Sequence, residues 1–167
     1  VDVSNPLEPY ITDFRFEPRW RLGFSSFRTH GNHLIIPTTA DGRSGIFMVS
    51  TDPDNPEETF SQLFGEVHMP PAIVDNYMYA PARSDGVIIF DISDIMHPRE
   101  VGRFEVENDA WYLDAEGDLL CVSDGNLNVF NIENRENPEL LSVYDVPDST
   151  RDIQIEYDYV YVHLGNR

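Results

Sequence analysis

Two histidines stand three residues apart in His30-Gly31-Asn32-His33, a spacing at which one metal ion could take two imidazoles. A Gly-Asn pair between two β-rich runs also reads as a turn, and on that plainer reading the histidines only flank it. No third ligand lies close by in the sequence. Asp-Gly recurs at Asp41-Gly42, Asp85-Gly86 and Asp124-Gly125. Carboxylates at one repeated position suit calcium, which takes oxygen ligands. Asp-Gly is also a favoured hairpin turn, with Gly supplying the positive φ, and this is the stronger reading. Calcium is thus the one cofactor left open, and no metal site is assigned.

The arginines offer a second kind of chemistry. Arg19, Arg21, Arg43, Arg83, Arg151 and Arg167 are six of the eleven basic residues. They fall in segments 17–23, 38–45, 82–86, 147–152 and 164–167, which the strand pattern below puts at one end of the strands. Segments 68–71, 107–110 and 123–126 belong to the same end and bring His68; Trp20 and the close of the His163 strand lie there too. Guanidinium forks bind carboxylate or phosphate bidentately, so this face is a candidate anion site. Its candidate ligand-binding residues are Arg21, Arg83, Arg151, Trp20, His68 and His163. The plainer alternative pairs each Arg with a local carboxylate such as Asp41, Asp85, Asp148 or Asp152. No catalytic residue is assigned. The chain has no G-x-S-x-G elbow, phosphate-binding loop, dinucleotide fingerprint, C-x-x-C or H-E-x-x-H.

The overall charge sharpens the contrast. Thirty acidic residues oppose eleven basic ones, all Arg, for a formal charge of −19. Such a surface repels nucleic acid and anionic lipid. It suits solubility first, then a salt-rich habitat, then calcium. A hydrophobic fraction of 41% marks a globular chain. No apolar run reaches the roughly 18 residues of a membrane span. No signal peptide is visible; the chain begins at Val1, as a processed protein or a piece of a longer one would. The single Cys121, within Leu-Leu-Cys-Val, cannot form an internal disulfide and reads as a small buried hydrophobe.

The elements that must position these residues repeat about every 42 residues. VDVSNPLEP (1–9), VSTDPDNP (49–56), FDISDIMHP (90–98) and FNIENRENP (130–138) share one pattern, and their closing prolines are 47, 42 and 40 residues apart. Between them lie short β runs bounded by Asp-Gly, Asn and Pro, such as WYLD, LLCVS and LNVFNIE, with no helical periodicity. Four strands at this period predict an all-β fold, a β-propeller of about four four-stranded blades. The units are drawn at 5–50, 51–93, 94–133 and 134–167 plus 1–4, as one domain over 1–167.

The YVYV- and LLCV-like strands, the Gly turn, VIIFDIS and the following x-P-x-x-V-G resemble the LVIVD-repeat propellers over nearly the whole chain. That resemblance implies a scaffold of the kind found in exported or surface proteins, hence an extracellular, cell-surface or periplasmic setting. It supplies no catalytic residue, because the repeat motif is structural. The first unit departs from the pattern by an insertion, and the fourth carries Asn131 and Glu133 against Asp91 and Ser93. The leading expectation is a non-enzymatic binding scaffold for a protein partner or anionic small ligand. An enzyme using His68, His163 and nearby carboxylates at a channel mouth is the alternative, and a structural subunit of a larger assembly is another. An open edge is a liability, so VDVS either completes the fourth unit, which lacks its last strand, or ends an earlier blade of a larger propeller. The low blade count favours the latter.

Overall fold

The computed structural model describes residues 20–21, 27–40, 43–52, 58–62 and 69–165. They form fifteen strands and no helix. Thus no helix among them is long and apolar enough to cross a membrane. The chain is all-β, and its strands pair antiparallel in four sheets that follow chain order.

The first sheet contains β1 (Trp20–Arg21), β2 (Arg28–His30), β3 (His33–Ala40), β4 (Arg43–Ser50) and β5 (Glu58–Gln62), with β1 and β2 both pairing with β3. The second is a meander of β6 (Ala72–Val74), β7 (Tyr77–Pro81), β8 (Val87–Asp91) and β9 (Arg99–Phe104). The third repeats it with β10 (Tyr112–Glu116), β11 (Leu119–Ser123), β12 (Asn126–Asn131) and β13 (Glu139–Asp145). The fourth pairs β14 (Thr150–Glu156) with β15 (Tyr159–Leu164).

The grouping runs one strand later than the repeat units drawn from the sequence. Unit 94–133 should open with the strand of VGRFEV, yet β9 pairs with β8 of the preceding unit. The cause lies in the reversal at 92–98. The Asp91 carboxylate accepts the Ser93 amide at 2.9 Å and pairs with Arg99 at 3.0 Å, while Asp94 accepts the Met96 amide and the His97 ring. These short-range bonds turn the chain straight back on itself, so Pro98 marks a turn within a sheet and not a boundary between sheets.

Side-chain alternation along the middle strands explains how the sheets stack. In β8, Ile88 and Phe90 join Met78, Ala80 and Ile92 against Ile35, Ile46 and Met48 of the first sheet. Val87 and Ile89, on the other face, join Tyr79 against Leu113, Leu120, Val122 and Phe130 of the third. A strand buried on both faces reads as an unbroken apolar run, here VIIF. The third sheet meets the fourth through Cys121, Leu127, Ile153 and Ile155. The opening strands β6, β10 and β14 of successive sheets are neighbours, and Asp114 of β10 accepts the Ile155 amide of β14 at 2.7 Å.

Arg135 ties the second and third sheets at the end where the tight two-residue turns lie. Its guanidinium reaches Asp75 at 3.0 Å, Asp118 at 3.0 Å and the carbonyls of Gly117 and Ile132. Its own carbonyl accepts the Tyr79 hydroxyl at 3.0 Å. Burial pushes the Tyr79 phenol up to about 12, against the opposing pull of Arg135. Cys121 is fully buried, as the apolar run predicts. Burial first and then the Asp114 carboxylate push its thiol up to about 11.

Two expectations follow. Gly86 and Gly125 share the Asp-Gly turn, with φ of +72° and +108°. A Cβ at Gly86 would strike the Phe104 carbonyl, while one at Gly125 meets nothing within 4 Å. Gly125→Ala should cost about 1–2 kcal/mol for its backbone conformation alone, and Gly86→Ala about 3 kcal/mol or more once overpacking is added. Equal losses on denaturant unfolding would refute this account of the turn. Separately, the folded chain holds the Cys121 proton to higher pH than the unfolded chain does. Stability is therefore intact below the ordinary thiol value of 9.0 and declines as pH climbs toward about 11. Tyr79 extends the decline toward about 12. Unfolding midpoints measured across this alkaline range should flatten over their first part in Cys121→Ala.

Candidate functional site

The two ends of the strands differ. The tight turns and the reversals 92–98 and 132–138 occupy one end. The links between sheets, 105–111 and 146–149, and the hairpin turns 82–86 and 124–125 occupy the other, and Arg83, Arg151 and His163 belong to this linking end. Trp20 and Arg21 pair with Ala40 and Thr39 at the far end of β3, which puts them there too. His68 lies outside the described residues, as do Arg19 and Arg167.

Arg151 and His163 come together. Asp152 stands opposite His163 and Thr150 opposite Leu164, so Arg151 is the extra residue of a β-bulge in β14. A bulge re-aims the side chain it carries. Here the Arg151 side chain runs across Gly165, where any Cβ would collide with it. The Gly165 amide bonds the Ser149 carbonyl at 2.8 Å and holds that strip of backbone in place. Arg151, Asp152, His163, Leu164 and Gly165 line an open cleft of about 580 Å³. Arg151 and His163 are both exposed. A guanidinium, an imidazole and one carboxylate around an open cleft can hold an anion through the first two, with Asp152 limiting how much negative charge is tolerated.

Arg83 sits apart, in the 82–86 turn. Its backbone forms a two-way bridge with Ala110, at 3.1 and 3.0 Å, which straps this turn onto the start of the third sheet. The guanidinium lies 4.4 Å from the centre of the Trp111 ring and 3.4 Å from Asp109. Arg83 is therefore partly committed to its neighbours, the plainer outcome foreseen for these arginines, although its carboxylate partner is Asp109 and not the adjacent Asp85. Sequence spacing missed this pair, because residues 83 and 109 meet only through the stacking of two sheets. Trp111 and Arg151 occupy matching places, each two residues before the inward-facing Leu113 or Ile153.

His30 and His33 are cross-strand partners closing the Gly31-Asn32 turn, as the turn reading has it. Asp124 of the Asp-Gly series is buried, and its carboxylate accepts the Asn126 and Asn108 amides and the Asn128 side chain at 2.8–3.1 Å. These donors make it a turn anchor, with the 107–110 link drawn in through Asn108. Among the described residues no group of three or more His, Cys, Asp or Glu is arranged to hold a metal ion.

Residues 72–106 match the LVIVD repeat family, so the chain carries an LVIVD repeat over the second sheet. The chain is similar in fold to the crystal structure of the computationally designed Ika4 protein, at 15% identity and a TM-score of 0.62, over 85% of this chain and 88% of that one. No curated protein matches it.

Arg83 provides a test of how the linking end is built. Its φ of +52° is strained for a residue with a Cβ. Arg83→Ala keeps the strain and loses the Trp111 and Asp109 contacts, which should cost about 1–2 kcal/mol. Arg83→Gly loses the same contacts but relieves the backbone, and should recover about 1 kcal/mol of that. If the two variants unfold at the same denaturant concentration, the strap does not hold this conformation against its strain.

Proposed function

We propose that the chain is a β-propeller-type repeat module acting outside the cytoplasm as a non-catalytic binding scaffold. Its linking end takes a carboxylate- or phosphate-bearing group of a ligand or protein partner. The observation that carries this reading is the Arg151–His163 cleft, where a bulge turns an arginine across bare backbone beside an exposed imidazole. In a molecule of charge −19 an exposed cation at an open cleft stands out against its surroundings. The LVIVD match and the stacked antiparallel sheets support the propeller. Arg83 on Trp111, at the same end, supplies further cationic and aromatic surface. On this reading Arg151 supplies the bidentate fork, His163 a second donor, and Asp152 discriminates against densely charged anions.

The test is a titration at low salt with three probes: inorganic phosphate, citrate and a glutamate-rich peptide. Arg151 and His163 side-chain resonances should move saturably with at least one probe. Arg151→Ala should weaken that binding by about tenfold or more, the loss expected for a charge-assisted contact. Its unfolding midpoint should stay near wild type, since the side chain is exposed. If no probe moves these resonances, or Arg151→Ala binds as tightly as wild type, the assignment of this cleft fails.

A further inference from the structure

One face of the fourth sheet carries the Arg151 cleft onward as a row of tyrosines. Val162 of β15 packs toward the third sheet with Ile153 and Ile155 of β14. Side chains alternate along a strand, so Tyr159, Tyr161 and His163 share the opposite face. Their cross-strand partners Glu156, Gln154 and Asp152 lie on it too. All six are exposed, the two tyrosines by 68% and 55%. The tyrosine rings stand 6.4 Å apart between centroids. At about 3.3 Å per residue the strip from Tyr159 to His163 is roughly 13 Å long.

The make-up of this face differs from that of the second sheet. There the same register sets Ala72 opposite Tyr79 and Val74 opposite Tyr77, and all four pack into the core shared with the third sheet. In the fourth sheet Gln154 and Glu156 stand in place of that alanine and valine. An apolar cover would strand an amide and a carboxylate away from water. Asp114, at the Gln154 place in the third sheet, meets its neighbour through a bond to the Ile155 amide. Exposed phenol rings beside a carboxamide and a carboxylate suit a sugar instead. The rings stack on the flat apolar side of a pyranose, and the polar groups exchange hydrogen bonds with its hydroxyls. Charge then selects among sugars. The cleft at the end of the strip offers Arg151 and His163 to one anionic group. Asp152 and Glu156 on the same face, in a molecule of charge −19, oppose any further negative charge. A fitting ligand carries its carboxylate at one end and is neutral along the rest.

We propose, resting on the anion-binding reading of the Arg151–His163 cleft, that this face binds a short glycan whose terminal sugar bears a carboxylate. The carboxylate enters the cleft between Arg151 and His163. The next sugar lies on Tyr161 beside Gln154, and the third on Tyr159 beside Glu156. Two-torsion tyrosine side chains give such a platform large contact area at small entropic cost.

The test is a titration of the full chain at low salt with 3′-sialyllactose, whose terminal sugar carries its carboxylate, and with its two parts, sialic acid and lactose. The Tyr159 and Tyr161 ring resonances should shift saturably with the trisaccharide, together with Arg151. The trisaccharide should bind about tenfold more tightly than sialic acid alone, the gain expected of aromatic stacking. Tyr161→Ala should remove most of that gain and leave sialic acid binding as it was, and Tyr161→Phe, which keeps the ring, should retain it. If sialic acid binds and the trisaccharide binds no tighter, the cleft stands and the glycan face falls. Lactose binding as tightly as the trisaccharide would overturn the proposal too, as would a glutamate-rich peptide that moves both tyrosines when the trisaccharide does not. So would silence from all three sugars, and phosphate or citrate binding at Arg151 would then show that the cleft itself survives.

Discussion

Everything in this molecule hangs on burial of the same sheet from both sides. The second sheet has no solvent face along its middle strands: Ile88 and Phe90 look one way, Val87 and Ile89 the other, and all are buried. An antiparallel sheet with one wet face could tolerate polar substitutions at every second position. Here each position of β8 belongs to one interface or the other, so a slip of one residue would exchange two cores at once. Register is therefore fixed by packing as much as by turns. The turns only have to agree, and the left-handed residues Gly31, Asp75, Gly117 and Tyr157 opening the four tight turns show that they do so even without glycine.

Dry interfaces hold sheets together but do not set their rotation, and the polar ties at the rims do that work. At the tight-turn end Arg135 gathers carboxylates from two sheets while its carbonyl takes the buried Tyr79 hydroxyl. At the linking end Arg83 and Ala110 join by backbone, and Asp124 draws Asn108 toward the 124–125 turn. The charged groups of Arg135 and Asp124 find hydrogen-bond partners in these ties, which limits what their partial burial costs. The linking end is also where Arg151 is left facing an open cleft, and the contrast between a committed Arg83 and an exposed Arg151 gives the proposed site its identity.

Much of this was legible in the chain. The proline-spaced repeat announced stacked antiparallel sheets, and unbroken apolar runs such as VIIF and LLCV marked strands buried on both faces. Which loops share an end was readable too, because strand alternation fixes it wherever the unit boundary is drawn, and so Arg83 and Arg151 fall at one end. What escaped was everything set by contact between sheets. The prolines looked like boundaries, since the Asx-type bonds of Asp91 and Asp94 that fold the chain back are invisible as spacing. The pairing of Arg83 with Asp109 and Trp111, and of Arg135 with Asp75 and Asp118, joins residues far apart in the chain. The bulge at Arg151 breaks the alternation by a single residue, too local a signal to distinguish from a strand end.

The one-strand offset between repeat and sheet has a consequence for how such a chain can change in length. A unit read from proline to proline does not encode a sheet; it encodes the outer strand of one sheet and the inner three of the next. Copying that unit would deliver a strand to its predecessor's edge, so the newcomer is stitched to an older neighbour by backbone bonds as well as by side chains. Excising one would strip an outer strand from a sheet that otherwise remained. Splice points that spare the sheet ladders and the Arg83–Ala110 bridge lie in 105–107 and 146–148, away from the prolines that make the repeat visible.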